Sequence, residues 1–129
     1  WAGDQARTGP DFLAVIDFDE RSESYGRPIA RLSLPGEKAS GNEPHHVGLS
    51  RDGKVLAAGG LLSVLKGQPE VFFFDVSDPR NPKFLSAANP PDSAITDEFL
   101  PLRGGGFLVT MMGGPRGATR GASRSSART

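Results

Sequence analysis

Glu70-Val-Phe-Phe-Phe-Asp-Val76 is an apolar run of strand length that leads into an aspartate, and it is the strongest indication of the fold. Such a run, bounded by turn residues, is typical of a strand that is buried on both faces. The turn Ser77-Asp-Pro-Arg-Asn-Pro82 closes it, and Lys83-Phe-Leu-Ser-Ala87 follows with the pattern of an outer strand. The sequence therefore predicts a buried strand at the centre of a small antiparallel sheet.

A hairpin precedes this central strand. His45-His-Val-Gly-Leu-Ser50 and Lys54-Val-Leu-Ala-Ala58 flank the dipeptide Asp52-Gly53. An Asp-Gly pair between two apolar runs is a strong short-range signal for a β-hairpin, since these residues tolerate the positive φ angles of the tight turn. Residues 46–87 thus contain four predicted strands in sequence.

This four-strand pattern recurs in part on both sides. Upstream, Phe12–Phe18 and Ile29–Leu34 match the last two strands, and Ile16-Asp-Phe18 parallels Phe74-Asp-Val76. Downstream, a hairpin of Glu98–Leu102 and Phe107–Met112 restarts the cycle 52 positions after His46. Four-stranded units at a spacing of about 40 to 50 residues are typical of a β-propeller. A sandwich of short strands is the alternative, but the recurring aromatic-Asp turn favours an all-β propeller fragment of about two blades.

The predicted domain organisation has three parts. Residues 1–9 form a lead-in, residues 10–114 a partial propeller, and residues 115–129 a tail rich in Arg, Ser, Gly and Ala. The tail contains no acidic residue and nothing apolar enough for a core, so we expect it to be disordered. An RNA- or phosphate-binding arm is one interpretation of its arginines. A flexible end, or a wrongly translated one, is the interpretation that we favour.

Composition excludes several classes of function. The 15 basic and 15 acidic residues cancel, which gives no field for nucleic acid or an anionic membrane. There is no cysteine, so disulfides and thiolate sites are excluded, and no apolar run approaches the length of a membrane span. Neither fact assigns a compartment. Because propeller repeats are stable only when stacked, and because the chain opens on Trp1 rather than Met, we expect further blades to be needed in cis.

Four motifs resemble the selenium-binding protein and methanethiol oxidase family. Pro10–Asp19 is similar to its opening D-x-L-A-x-[VI]-D-x-D strand, and Glu43-Pro-His-His-Val-Gly48 to its E-x-H-H-x-G motif. Val71–Phe84 and Leu100–Gly113 are similar to the strands and the L-P-x-G hairpin that follow. The resemblance implies that the chain is the N-terminal portion of a seven-bladed propeller. It also implies a copper-dependent oxidase, which converts methanethiol, oxygen and water to formaldehyde, hydrogen sulfide and hydrogen peroxide.

The chain departs from the family in two places. Animal and plant members carry a Cys pair shortly after the His-His motif, whereas Leu49-Ser-Arg-Asp52 stands here. Selenium binding through cysteine is therefore excluded. Those members also carry a second histidine pair before the L-P-x-G hairpin, where this chain has Thr96-Asp-Glu98. By spacing, Glu98 stands at the position of the second of those histidines.

His45, His46 and Glu98 are the predicted metal ligands. Neighbouring residues of a regular strand point to opposite faces, so we expect His46 to point into the propeller channel with Glu98, and His45 to face a nearby loop. Carboxylate and imidazole suit iron, manganese or zinc as well as the copper that the resemblance implies. The alternative is a histidine that only hydrogen-bonds to backbone at the channel mouth.

Two functions follow from this reasoning. The first is a fragment of a metal-dependent oxidase of the methanethiol oxidase type that acts on a small molecule. Its other ligands would come from blades outside this chain, so we expect the fragment alone to be inactive. The second is a non-catalytic propeller that binds a small ligand or a protein on its channel face. The recurring aspartates at strand ends are interpreted as turn caps rather than as a calcium site; they are Asp17, Asp19, Asp75 and Asp78.

Overall fold

A computed structural model describes residues 1–6 and 8–114, which form an all-β structure of three antiparallel sheets. The predicted tail, residues 115–129, lies outside the described residues. The strands are β1 (Phe12–Ile16), β2 (Pro28–Ser33), β3 (Pro44–Leu49), β4 (Val55–Gly60), β5 (Val71–Asp75), β6 (Lys83–Ala88), β7 (Ala94–Pro101) and β8 (Phe107–Gly113). A short 3₁₀ turn, Ser63–Lys66, joins β4 to β5.

The central sheet has the order β3-β4-β5-β6 and is one complete propeller blade. The pair β1-β2 lies on one side of it and the pair β7-β8 on the other. The predicted hairpin turn is confirmed, with Gly53 at a φ of 72° between β3 and β4. Each strand of the central sheet is antiparallel to its neighbour. The all-β propeller architecture predicted from the repeat is thus confirmed.

Strand β5 is buried because its alternating side chains fill two different interfaces. Phe72 and Phe74 pack against Leu13 and Leu34 of the β1-β2 side. Phe73, on the opposite face, packs against the β7-β8 hairpin, with its ring centroid 6.3 Å from that of Phe107. The prediction of a strand buried on both faces is therefore confirmed for β5, and the three phenylalanines serve packing between sheets.

The apolar run Phe12–Phe18 likewise suits a strand that is buried on both faces, but the structure contradicts this prediction. Leu13 is buried, but Ile16 is 41% exposed and Phe18 is 78% exposed. Strand β1 ends at Ile16, and Phe18 lies beyond it in the turn, where its ring contacts Tyr25 edge-on at 5.7 Å. The run was as apolar as β5, but only one of its faces meets another sheet in the described structure.

Trp1 belongs to the core, which the sequence did not indicate. Its indole lies 5.4 Å from the ring of Phe72, and Nε1 donates a hydrogen bond of 2.8 Å to the carbonyl oxygen of Gly59. An isolated bridge pairs Ala2 with Phe12. The first residues of the predicted lead-in therefore close the face of the central blade.

The predicted turn caps are confirmed. Each of the four aspartates accepts a hydrogen bond from the backbone N–H two residues further on, which is the geometry of an Asx turn. The four are Asp17, Asp19, Asp75 and Asp78. Within the described residues, no helix is long and apolar enough to cross a membrane.

Candidate metal centre

Strands β3 and β7 hold the candidate centre. They are the first strands of consecutive sheets, and they run close together at Gly48. A Cβ at Gly48 would lie 2.8 Å from the carbonyl oxygen of Phe99, which is too close for any side chain. Glycine at this position therefore lets the backbone of β7 approach β3.

Both strands carry a β-bulge at the same level. In β3, the register shifts between Pro44 and Val47, so that His45 and His46 fall in the irregular segment. In β7, the register shifts between Thr96 and Phe99, which places Asp97 and Glu98 in the bulge. A bulge adds a residue to one strand and redirects its side chains, and such features are common beside functional sites.

The two bulges bring His45, His46 and Asp97 together. Their potential ligand atoms all lie within 4.8 Å of one another. The imidazole rings meet edge to face with centroids 4.2 Å apart, and Nδ1 of His46 is 3.1 Å from Oδ1 of Asp97. The side chains of His46 and Asp97 are 44% and 35% exposed, so the cluster is open to solvent on one side.

This geometry corrects two expectations about the site. The histidines do not point to opposite faces, because the bulge breaks the strict alternation of β3. Asp97, and not Glu98, is the carboxylate beside them. Glu98 is exposed, and its Oε1 accepts a 3.2 Å hydrogen bond from the N–H of Phe99. The spacing argument assigned Glu98 to the place beside His46 that Asp97 occupies in the structure.

A buried polar network fixes the loop that leads into β3. Asp11, which is 1% exposed, accepts hydrogen bonds from the backbone N–H of Asn42 at 2.7 Å and from its Nδ2 at 2.9 Å. Oδ1 of Asn42 in turn accepts a 2.8 Å hydrogen bond from Oγ of Ser63. Because every member is paired, the network holds the chain rigidly three residues before His45.

The cluster has the chemistry of a transition-metal site. Two imidazole nitrogens and one carboxylate oxygen form a donor set that iron, copper and zinc all accept. Three protein ligands with an open side are typical of a catalytic centre, since further positions stay free for water or substrate. The residues present therefore fit a bound transition metal.

Comparison with known proteins adds two curated relatives. A methanethiol oxidase from Hyphomicrobium sp is 37% identical over 75 residues, which cover 58% of this chain and 15% of the relative. Selenium-binding protein 2 from Arabidopsis thaliana is 29% identical over 132 residues, which cover 89% of this chain and 26% of the relative. Both matches support the resemblance of the chain to the selenium-binding protein and methanethiol oxidase family.

A solved structure supports the same fold. The chain resembles a hypothetical selenium-binding protein from Sulfolobus tokodaii with a TM-score of 0.56 and 20% identity, over 82% of this chain and 26% of that one. No family model matches the chain. The chain spans about a quarter or less of the length of these family members.

Proposed function

We propose that this chain supplies a transition-metal site to an oxidase of the methanethiol oxidase type. The observation that carries the proposal is the convergence of His45, His46 and Asp97 at two matched bulges. The relative named methanethiol oxidase gives the reaction class. The two imidazoles and the carboxylate would hold the metal, with the remaining positions filled by solvent or substrate.

Asp97 would have two effects on this site. Its charge offsets part of the charge of a divalent ion, and Oδ1 lies within hydrogen-bond distance of Nδ1 of His46. A carboxylate that contacts a ligating histidine fixes the orientation of its ring. The site would therefore be preorganised before an ion arrives.

The donor set accepts several metals, and we propose copper. Nitrogen and oxygen sites bind copper(II) more tightly than the other divalent first-row ions, and the family resemblance implies the same metal. A bound copper would supply the redox chemistry that links a thiol to oxygen. The proposed overall reaction takes methanethiol, oxygen and water to formaldehyde, hydrogen sulfide and hydrogen peroxide, and its atoms balance.

The test is oxygen uptake by the copper-loaded chain, carried within a complete propeller, in the presence of methanethiol. We expect one oxygen consumed for each hydrogen sulfide formed, and loss of turnover in the Asp97→Asn variant. Glu98→Gln is the matched control, since Glu98 neighbours Asp97 but lies outside the cluster. Copper binding without any thiol-dependent oxygen uptake would contradict the oxidase and favour a non-catalytic propeller.

A further inference from the structure

Ile95 has an unusual backbone conformation two residues before Asp97. Its φ is 64°, in the left-handed region that a β-branched residue rarely adopts. Such a conformation persists only where the surrounding structure imposes it, and it is concentrated near functional sites. The start of β7 is therefore held by something outside the strand.

The carboxylate of Glu70 is the group that holds it. Oε2 of Glu70 accepts a hydrogen bond of 2.5 Å from the backbone N–H of Ile95. The adjacent Thr96, fully buried, donates from Oγ1 to the carbonyl oxygen of Glu70 at 3.2 Å. Glu70 thus accepts hydrogen bonds from two consecutive residues of β7, Ile95 and Thr96.

Glu70 is itself firmly placed in the complete blade. It is 2% exposed and directly precedes β5. Its N–H donates to the carbonyl oxygen of Ala88 and to Oδ1 of Asn89, and its carbonyl oxygen accepts from the N–H of Gly60 at 2.9 Å. Glu70 therefore transmits the position of the central sheet to the first strand of the next one.

Keeping a carboxylate in this place is costly. Burial raises the pKa of Glu70 above its usual range, opposed only in part by the backbone hydrogen bonds from Ile95 and Thr96. A buried acidic group without a counter-ion destabilises a fold unless its hydrogen bonds compensate. A purely packing role would be filled as well by an apolar residue.

We infer that Glu70 is a positioning residue for the metal centre: by fixing Ile95 in its left-handed conformation, it sets the bulge that places Asp97 beside His46. The inference rests on the proposed function, because only a metal site gives the positioning of Asp97 a purpose. The hydrogen bonds from Ile95 and Thr96 to Glu70 do not depend on a metal. Glu70 does not belong to the ligand cluster. It acts through the backbone of β7.

The experiment compares Glu70→Leu with Glu70→Gln and with the double variant Glu70→Leu, Ile95→Gly. Leucine removes the acceptor, whereas the glutamine amide oxygen still accepts from Ile95. Glycine adopts a positive φ without strain, so it makes the acceptor dispensable. The readouts are affinity for copper(II) and the nuclear Overhauser effect between the His46 ring and the Asp97 β protons.

We expect Glu70→Leu to lose the Overhauser contact and to weaken copper affinity by about 10-fold or more, as loss of an orienting contact does. Glu70→Gln should keep both readouts, and the double variant should regain them. A folded Glu70→Leu chain with both readouts unchanged would overturn the inference. If that variant does not fold, a folded double variant without the Overhauser contact would overturn it.

The Overhauser effect separates this inference from the proposed function. If the wild-type chain binds no copper, the proposed function fails. The contact between His46 and Asp97 can still be measured in the metal-free chain, and its dependence on Glu70 then decides the positioning role alone.

Discussion

Asp97 and Glu98 show how far a single position can be predicted. The sequence predicted that Glu98 would point into the channel with His46, whereas the structure places Asp97 beside both histidines. Which carboxylate faces the histidines depends on the bulge in β7, because one extra residue reverses the alternation of side chains. No local pattern in the sequence indicates that bulge.

Asp17 provides a prediction on pH. Hydrogen bonds from the hydroxyls of Ser22 and Ser24, and from the N–H of Asp19, lower the pKa of Asp17 to about 2. Because the folded-state pKa lies below the unfolded one, the stabilisation is present above the usual aspartate range and is lost as pH falls towards 2. In a carboxyl NMR titration, Ser22→Ala should move the pKa of Asp17 upwards. An unchanged pKa in that variant would contradict the assignment.

The pKa of Glu70 shifts in the opposite direction to that of Asp17, so its effect on stability has the opposite dependence on pH. Burial raises its pKa, so the folded state binds a proton more readily than the unfolded state. Its ionisation therefore destabilises the fold progressively as pH rises from the usual glutamate range through the folded pKa. Glu70→Gln should abolish this dependence, so the difference in unfolding free energy between variant and wild type should grow in favour of the variant as pH rises. Chemical denaturation at pH 4 to 7 measures it, and a difference that is constant with pH would contradict the prediction.

The strands themselves were largely predictable. Apolar runs, the Asp-Gly turn and the recurring aspartates fix where β3, β4, β5 and β6 begin and end to within about two residues. Strand β7 begins at Ala94, four residues before the predicted Glu98. The sequence does not indicate this earlier start, because Ile95 is held by a hydrogen bond to Glu70, which lies 25 residues away in the chain. The backbone of Ile95 is in the left-handed region.

The close approach of β3 and β7 gives a prediction about Gly48. Gly48→Ala forces a Cβ against the backbone of Phe99, so the strands must separate. We expect a loss of about 1 to 3 kcal/mol in the free energy of unfolding, the usual cost of overpacking. Copper affinity should fall as well, because His46 and Asp97 lie on the separated strands. Gly104→Ala is the control, since nothing lies within 4 Å of a Cβ there; equal effects of both variants would contradict the account.

The burial of Phe74 in β5 leads to a prediction about stability. Phe74 is fully buried between the central sheet and the β1-β2 pair, whereas Phe18 is 78% exposed. Phe74→Ala should lower the free energy of unfolding by about 3 to 5 kcal/mol, as expected when a core phenylalanine is truncated. Phe18→Ala should change it by less than about 0.5 kcal/mol. Urea unfolding followed by tryptophan fluorescence measures both, because Trp1 packs on Phe74.

The sequence repeats predicted the propeller architecture, but they did not predict the contact between the N-terminus and the central sheet. The pairing of Trp1 with Gly59 joins residues 58 positions apart, and no periodicity connects them. The outer sheets also expose apolar side chains. On the β7-β8 hairpin, Leu100 is 58% exposed and Leu108 56% exposed.

Those exposed leucines predict self-association. Contiguous apolar surface on a sheet promotes contact between molecules, so the apparent mass of the chain should rise with concentration. Light scattering coupled to size-exclusion chromatography measures this, and the double variant Leu100→Lys, Leu108→Lys should reduce it. A chain that stays monomeric at every concentration would contradict the prediction.

Calorimetric titration of the chain with copper(II) measures whether His45, His46 and Asp97 form a metal site. We expect about one ion per chain, affinity reduced about 10-fold or more by His46→Ala and by Asp97→Asn, and Glu98→Gln within about threefold of wild type. Absence of binding in the wild type, or an equal loss in the Glu98→Gln and Asp97→Asn variants, would contradict the account.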